Sequence, residues 1–146
     1  MTPRVSVVLP VFNALATLPR AVASVRAQTF TDWELVAVDD GSTDGSGEWL
    51  ARAAKEEPRL RVLRRPHAGL VPALKDGLDA ARGEFIARLD ADDECLPDRL
   101  AAQVAMLDAD PSFGVAGCRV GFAGDRAAQA GYAGHVGALY SLGTPE

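Results

Sequence analysis

The sequence is poor in cysteine. Cys95 and Cys118 stand far apart, without a Cys-x-x-Cys spacing, which excludes a disulfide-stapled scaffold or a thiolate metal cluster and leaves free thiols of a reducing compartment. Histidine is scarce too: neither His67 nor His135 has a ligand-like residue near it in sequence. Positive charge is in deficit, with 15 Lys and Arg against 20 Asp and Glu, a net charge of −5. That excludes the basic face of a nucleic-acid binder. No apolar run approaches the ~18 residues of a membrane span. Val5 to Phe12 is broken by Pro10 and ended by Asn13, and no small-residue cleavage site comes after it, so it reads as a core strand rather than a signal peptide. What remains is an ordinary single domain of 146 residues, 48% hydrophobic and 24% charged, large enough to bury a core without staples.

Strand and helix patterns alternate along it. Val5–Leu9, Trp33–Val38, Leu60–Leu63, Phe85–Leu89 and Val115–Val120 read as strands, the first nearly all apolar, as expected when both faces are covered. Between them, Leu15, Leu18, Val22 and Val25 fall at helical spacing, with Pro19 acceptable in a first turn. A second helix runs through Trp49, Leu50, Ala53 and Ala54 to Glu57, capped by Asp44 or Ser46. A third over Leu70–Ala81 places Leu70, Leu74, Leu78 and Ala81 on one face, and a fourth starts near Pro97 with Leu100, Val104 and Leu107 inward. The alternation predicts an α/β fold with a mostly parallel sheet and helices on both faces. Ligands of such sheets bind beyond the carboxyl ends of the strands. Three loops then share one rim: Pro10-Val11-Phe12-Asn13, Asp39-Asp40-Gly41-Ser42 and Asp90-Ala91-Asp92-Asp93.

The third of these carries three carboxylates in four positions, directly after a strand. Like charges so crowded repel. A hard divalent cation, Mn²⁺ or Mg²⁺, removes the repulsion, using one or two protein carboxylates and completing its shell with phosphates and water. A solvated acidic turn is the plain alternative. Asp39 and Asp40 at a strand end can accept hydrogen bonds from a nucleobase or ribose, although Asp, Ser and Gly are also common turn formers. Asn13 either ends a strand or presents an amide to a ligand. Lys75 reads as a solvated helical residue within reach of a phosphate. An anionic ligand also needs local cations, and Arg64, Arg65 and Arg88 are at hand.

Taken in order, these segments resemble the family 2 glycosyltransferases. Val5-Ser6-Val7-Val8-Leu9-Pro10-Val11-Phe12-Asn13 is similar to the family's opening. Gln28-Thr29-Phe30-Thr31-Asp32-Trp33-Glu34, Val38-Asp39-Asp40-Gly41-Ser42-Thr43-Asp44 and Gly69-Leu70 to Gly77-Leu78 continue the match. Ala81-Arg82-Gly83-Glu84-Phe85-Ile86-Ala87-Arg88-Leu89-Asp90-Ala91-Asp92-Asp93, then Pro97-Asp98-Arg99-Leu100 and Gln103, complete it over about residues 4–120. The resemblance implies a GT-A fold and sugar transfer from a nucleotide-diphosphate sugar, usually with inversion. It implies that Pro10, Phe12, Asn13, Asp39 and Asp40 belong to the nucleoside pocket. Asp90, Asp92 and Asp93 become the DXD-type carboxylates, with Asp90 and Asp92 toward the donor and Asp92 and Asp93 on the metal. Many relatives carry Asn where Lys75 stands. The family's catalytic base lies beyond the match, and Asp125 and Glu146 sit in no recognisable motif. The chain therefore reads as a donor-binding half over residues 1–120 with a glycine-rich tail over 121–146, and residues 1–146 alone are expected to show little transfer. The acceptor is a glycan, a lipid-linked sugar or a protein, and no nucleic acid is expected. The implied location is cytoplasmic, at most peripheral at the inner face of a membrane, with self-association through uncovered edges.

Two other readings compete. One is a non-catalytic nucleotide-binding or structural module. The other is a phosphohydrolase with Asp90 as nucleophile and Asp92 as acid–base. Glu94 stands where enzymes resembling the haloacid dehalogenases want Thr or Val, and their motif usually opens the domain.

Overall fold

The computed structural model describes residues 2–121; the readings made for 122–146 lie outside them. Strands β1 (Val5–Val11), β2 (Trp33–Asp39), β3 (Leu60–Arg64) and β4 (Phe85–Arg88) alternate with helices α1 (Leu18–Arg26), α2 (Ser46–Glu56), α3 (Leu70–Ala80) and α4 (Arg99–Ala109). The strands form one sheet in the order β3-β2-β1-β4, and every pairing is parallel. This is the architecture expected from the alternation.

Strand periodicity divides the core. Val5, Val7, Leu9 and Val11 face the side where Leu18, Val22 and Val25 of α1, Leu50 of α2, and Leu100 and Val104 of α4 are buried. Val36 and Val38 face the other side, with Ala73 of α3. The chain steps from β1 to β3 in one direction, so α1 and α2 share a face. The return from β3 to the far side of β1 carries α3 across the opposite face, as right-handed crossovers require.

β1 runs two residues past Leu9 and includes Pro10, which sits mid-sheet without breaking it. Val8 O accepts from Leu89 N, so the same-side donor two residues on would face the space beyond the end of β4. Proline there forfeits no ladder bond.

Three expectations are corrected. The α3 leucines do not form its buried stripe: Leu70 and Leu78 are half exposed, and the buried residues are Ala73 and Gly77. A Cβ on Gly77 would lie 2.5 Å from Val8 Cγ1 and 3.2 Å from Val38 Cγ2, so close helix–sheet approach selects small residues over large ones. Gly77→Ala is expected to destabilise the fold by about 1–2 kcal/mol, overpacking outweighing the gain in helix propensity. Urea unfolding checks this, and an unchanged or higher midpoint would refute it. Val115–Val120 forms no strand, and both valines are exposed. Its two β-branched ends flank Ala116 and Gly117, and among the described residues it is anchored by a bond from Gln103 Nε2 to Ala116 O. Finally, α2 is preceded by Gly45 in the left-handed region (φ 96°), and Asp44 instead accepts from the Ser46 N–H and hydroxyl.

Candidate functional site

The carboxyl ends of all four strands open onto one rim. β4 lies on the opposite side of β1 from β2, so the direction of strand succession reverses at β1. Such a reversal opens the crevice where ligands of α/β sheets bind.

The loop after β2 is built inward. Asp39 and Asp40 are both 2% exposed. Asp39 Oδ1 accepts from Ser42 N at 3.0 Å, and Oδ2 meets Arg64 Nε at 3.3 Å. Asp40 holds the loop after β3. It accepts from Ala68 N at 3.1 Å and Gly69 N at 2.8 Å, and pairs with Arg65 Nε at 3.1 Å and His67 Nδ1 at 2.8 Å. Burial pushes the Asp40 carboxyl up, but these amide and cationic partners outweigh it and hold it below its ordinary value. Gly41 has φ 75°, and a Cβ there would lie 2.8 Å from His67 N. Glycine both turns this chain and lets the two loops touch.

Phe12 and Asn13 bring in the loop after β1. Phe12 is half exposed and stacks on His67, with ring centroids 4.0 Å apart at 21°. Asn13 Oδ1 accepts from Thr43 N at 2.9 Å, and Ser42 Oγ accepts from Asn13 N. The Asn13 carbonyl thus ties loop to loop. His67, expected to have no partner, is the residue that sequence reasoning missed. Its signal was only its position two residues before Gly69, which precedes α3.

The acidic turn stands across β1. Buried Leu89 and Ala91 pin it, and Asp93 N donates to Asp90 O at 3.1 Å. Gln28, buried after α1, braces the segment leading from this turn into α4. Its Nε2 donates to Leu96 O at 2.7 Å, and its Oε1 accepts from Leu100 N at 3.0 Å at the start of the helix. Arg88 grips Asp90 with two bonds of 2.9 Å. Asp92 and Asp93 are exposed. Partial desolvation by the turn around it, then the charges of Asp92 and Asp90, push the Asp93 carboxyl above its ordinary value although the residue as a whole is open to water.

The anticipated cations are therefore distributed one to a carboxylate: Arg64 on Asp39, Arg65 on Asp40 and Arg88 on Asp90. Asp92 and Asp93 receive no ion pair among the described residues. Nor does any group of three His, Cys, Asp or Glu there form a metal cage. A pair of exposed carboxylates fits Mg²⁺ or Mn²⁺ bound partly by phosphate and water, not an all-protein site. Lys75 pairs with Asp79 one turn along α3.

A parallel α/β sheet with an acidic rim at its switch point is the architecture of an α/β domain whose ligand crevice lies beyond the strand ends. The comparisons with known proteins agree. The family described as "Glycosyl transferase family 2" matches residues 6–133, and the chain belongs to that family. It is 35% identical over 117 residues to the putative glycosyltransferase EpsE of Bacillus subtilis, covering 79% of this chain and 42% of that protein. It is 36% identical over 118 residues to the glycosyltransferase GlyG of Streptococcus pneumoniae, covering 78% and 39%. Among solved structures it resembles the mannosyltransferase PcManGT of Pyrobaculum calidifontis in complex with GDP-Man and Mn²⁺. There the TM-score is 0.71 with 32% identity, over 78% of this chain and 34% of that one. S. aureus TarS in complex with UDP gives a TM-score of 0.67 with 26% identity, over 73% and 32%. The fold is the GT-A type. The chain thus spans less than half the length of these relatives. Among the described residues, no helix is long and apolar enough to cross a membrane.

Proposed function

We propose that this chain is the donor-binding part of a glycosyltransferase that takes a nucleotide-diphosphate sugar and transfers the sugar, with inversion, to a glycan, lipid-linked or protein acceptor. The carrying observation is the charge pattern of the rim. Asp39, Asp40 and Asp90 each have an arginine, whereas the neighbouring Asp92 and Asp93 have none. Two exposed carboxylates repel a diphosphate unless a cation lies between them. In this reading Pro10, Phe12, Asn13, Asp39 and Asp40 shape the nucleoside side of the crevice. Asp90 and Asp92 face the donor, and Asp92 and Asp93 would hold Mn²⁺ or Mg²⁺. A bound cation supplies neutralisation of the leaving diphosphate. Arg88 fixes Asp90, and Gln28 fixes the segment after the turn, so the carboxylates are oriented before any ligand arrives. That the PcManGT structure holds GDP-Man and Mn²⁺ supports the same assignment.

Titration calorimetry with UDP and GDP, in Mn²⁺ and in chelator, tests this. Metal should tighten binding at least about tenfold, roughly 1.4 kcal/mol, and Asp92→Ala or Asp93→Ala should remove most of that gain. Equal affinity with and without chelator, in folded protein, would sink the reading.

A further inference from the structure

We infer that His67 determines base specificity in the donor pocket, its Nε2 accepting a hydrogen bond from the ring N–H of uracil or guanine; this rests on the donor-binding reading above. The two carboxylates nearest the nucleoside side are already engaged. Asp40 accepts the Ala68 and Gly69 amides and is ion-paired at 3.1 Å with Arg65, with His67 Nδ1 2.8 Å from its Oδ2. Asp39 receives Ser42 N–H and Arg64.

Asp40 in turn fixes the imidazole. Nδ1 lies 2.8 Å from Asp40 Oδ2 and 3.1 Å from Asp40 O. Both are acceptors, so Nδ1 carries the hydrogen, and in its neutral form the ring presents a lone pair at Nε2. Nε2 makes no hydrogen bond among the described residues, and the side chain is 54% exposed. Stacking on Phe12 and the docking of its backbone against Gly41 hold the ring in place. The rim therefore carries a rigid acceptor beside an aromatic face. Uracil and guanine offer a ring N–H at the edge where cytosine and adenine offer a bare nitrogen. An acceptor facing an acceptor leaves both unpaired, which a buried edge tolerates poorly.

Calorimetry of the chain in Mn²⁺ with UDP, GDP, CDP and ADP tests this. UDP or GDP should bind at least about tenfold tighter than CDP and ADP, a size typical of one hydrogen-bond mismatch. The ring-methylated form of the tighter nucleotide, 3-methyl-UDP or 1-methyl-GDP, should lose that advantage on the unaltered protein. His67→Phe keeps an aromatic ring but no nitrogen, and should bring the four nucleotides within about twofold, whereas His67→Gln, with an amide acceptor, should restore part of the preference. Undiminished binding of the methylated nucleotide would overturn the inference alone. So would a preference unchanged in His67→Phe, or an equal loss for all four nucleotides in both variants. If no nucleoside diphosphate binds the unaltered chain, the donor-binding reading falls, and this inference with it.

Discussion

Glu34→Ala is expected to lower the unfolding free energy by about 3 kcal/mol, near the lower end for removing one partner of a buried ion pair. The expectation comes from the end of the sheet opposite the rim. Glu34 is 4% exposed. Ser6 Oγ donates to Oε1 at 2.7 Å, and Arg82 N donates to it at 2.8 Å. Arg61 and Arg82 hold Oε2 at 2.9 and 3.1 Å. Glu34, Arg61 and Arg82 line a pocket of about 250 Å³ with Trp33 and Arg59. The network fastens the start of β4 to β1, where Gly83 passes so close that a Cβ would lie 2.5 Å from Ser6 N. Alanine strands the Ser6 hydroxyl hydrogen and leaves the Arg82 amide only its longer bond to Ser6 Oγ at 3.1 Å. The two arginines are partly exposed and can turn to water, which keeps the cost at the lower end. Burial pushes the Glu34 carboxyl up from its ordinary 4.5, but the bonds from Ser6, Arg61 and the Arg82 amide outweigh it, so the net shift is downward. Its contribution is thus complete above 4.5 and is lost as pH falls below that value toward the folded one. Urea unfolding of both proteins from neutral pH downward should show the gap between them closing below pH 4.5. A constant gap, or none at neutral pH, would refute this.

Much of the fold was legible because strand and helix announce themselves through different periods. β1 and β2 are mostly apolar runs, interrupted by Ser6, Glu34 and the terminal Asp39, and a doubly covered parallel strand needs that composition. The α3 face was not legible. A helix lying across a sheet at close range buries Ala73 and Gly77, whereas periodicity weighs Leu70 and Leu78 more heavily. Val115–Val120 shows the same limit: a strand needs a partner, and two valines at its ends do not provide one.

The site was legible in its acids and less so in their partners. Asp39, Asp40 and Asp90 each met one of the arginines that charge balance required. Which arginine met which acid depended on strand register, with Asp39 beside Arg64 across β2 and β3. His67 escaped notice because its partner, Asp40, is 27 residues away. Gln28 escaped as well, because its amide acts on Leu96 and Leu100, more than 60 residues on.

Asp40→Ala should be the most damaging change at the rim. It is expected to weaken UDP or GDP binding at least about tenfold, about 1.4 kcal/mol, and to cost about 3 kcal/mol of stability through the loss of a buried carboxylate that is ion-paired with Arg65 and hydrogen-bonded by two amides. One side chain fastens the whole segment from Arg65 to Gly69 and sets the His67 ring against Phe12. Without it, the Ala68 and Gly69 amides lose their acceptor, Arg65 is left to Asp76, and the nucleoside side of the crevice loses its third loop. The effect should not depend on metal, because Asp40 and the acidic turn lie on opposite sides of β1. Asp40→Asn keeps the shape and one acceptor oxygen, so it should fall between alanine and the unaltered protein in both measures. Calorimetry with and without Mn²⁺, beside urea unfolding, separates the two losses. Unchanged nucleotide affinity in a folded Asp40→Ala protein would show that the loop after β3 takes no part in binding.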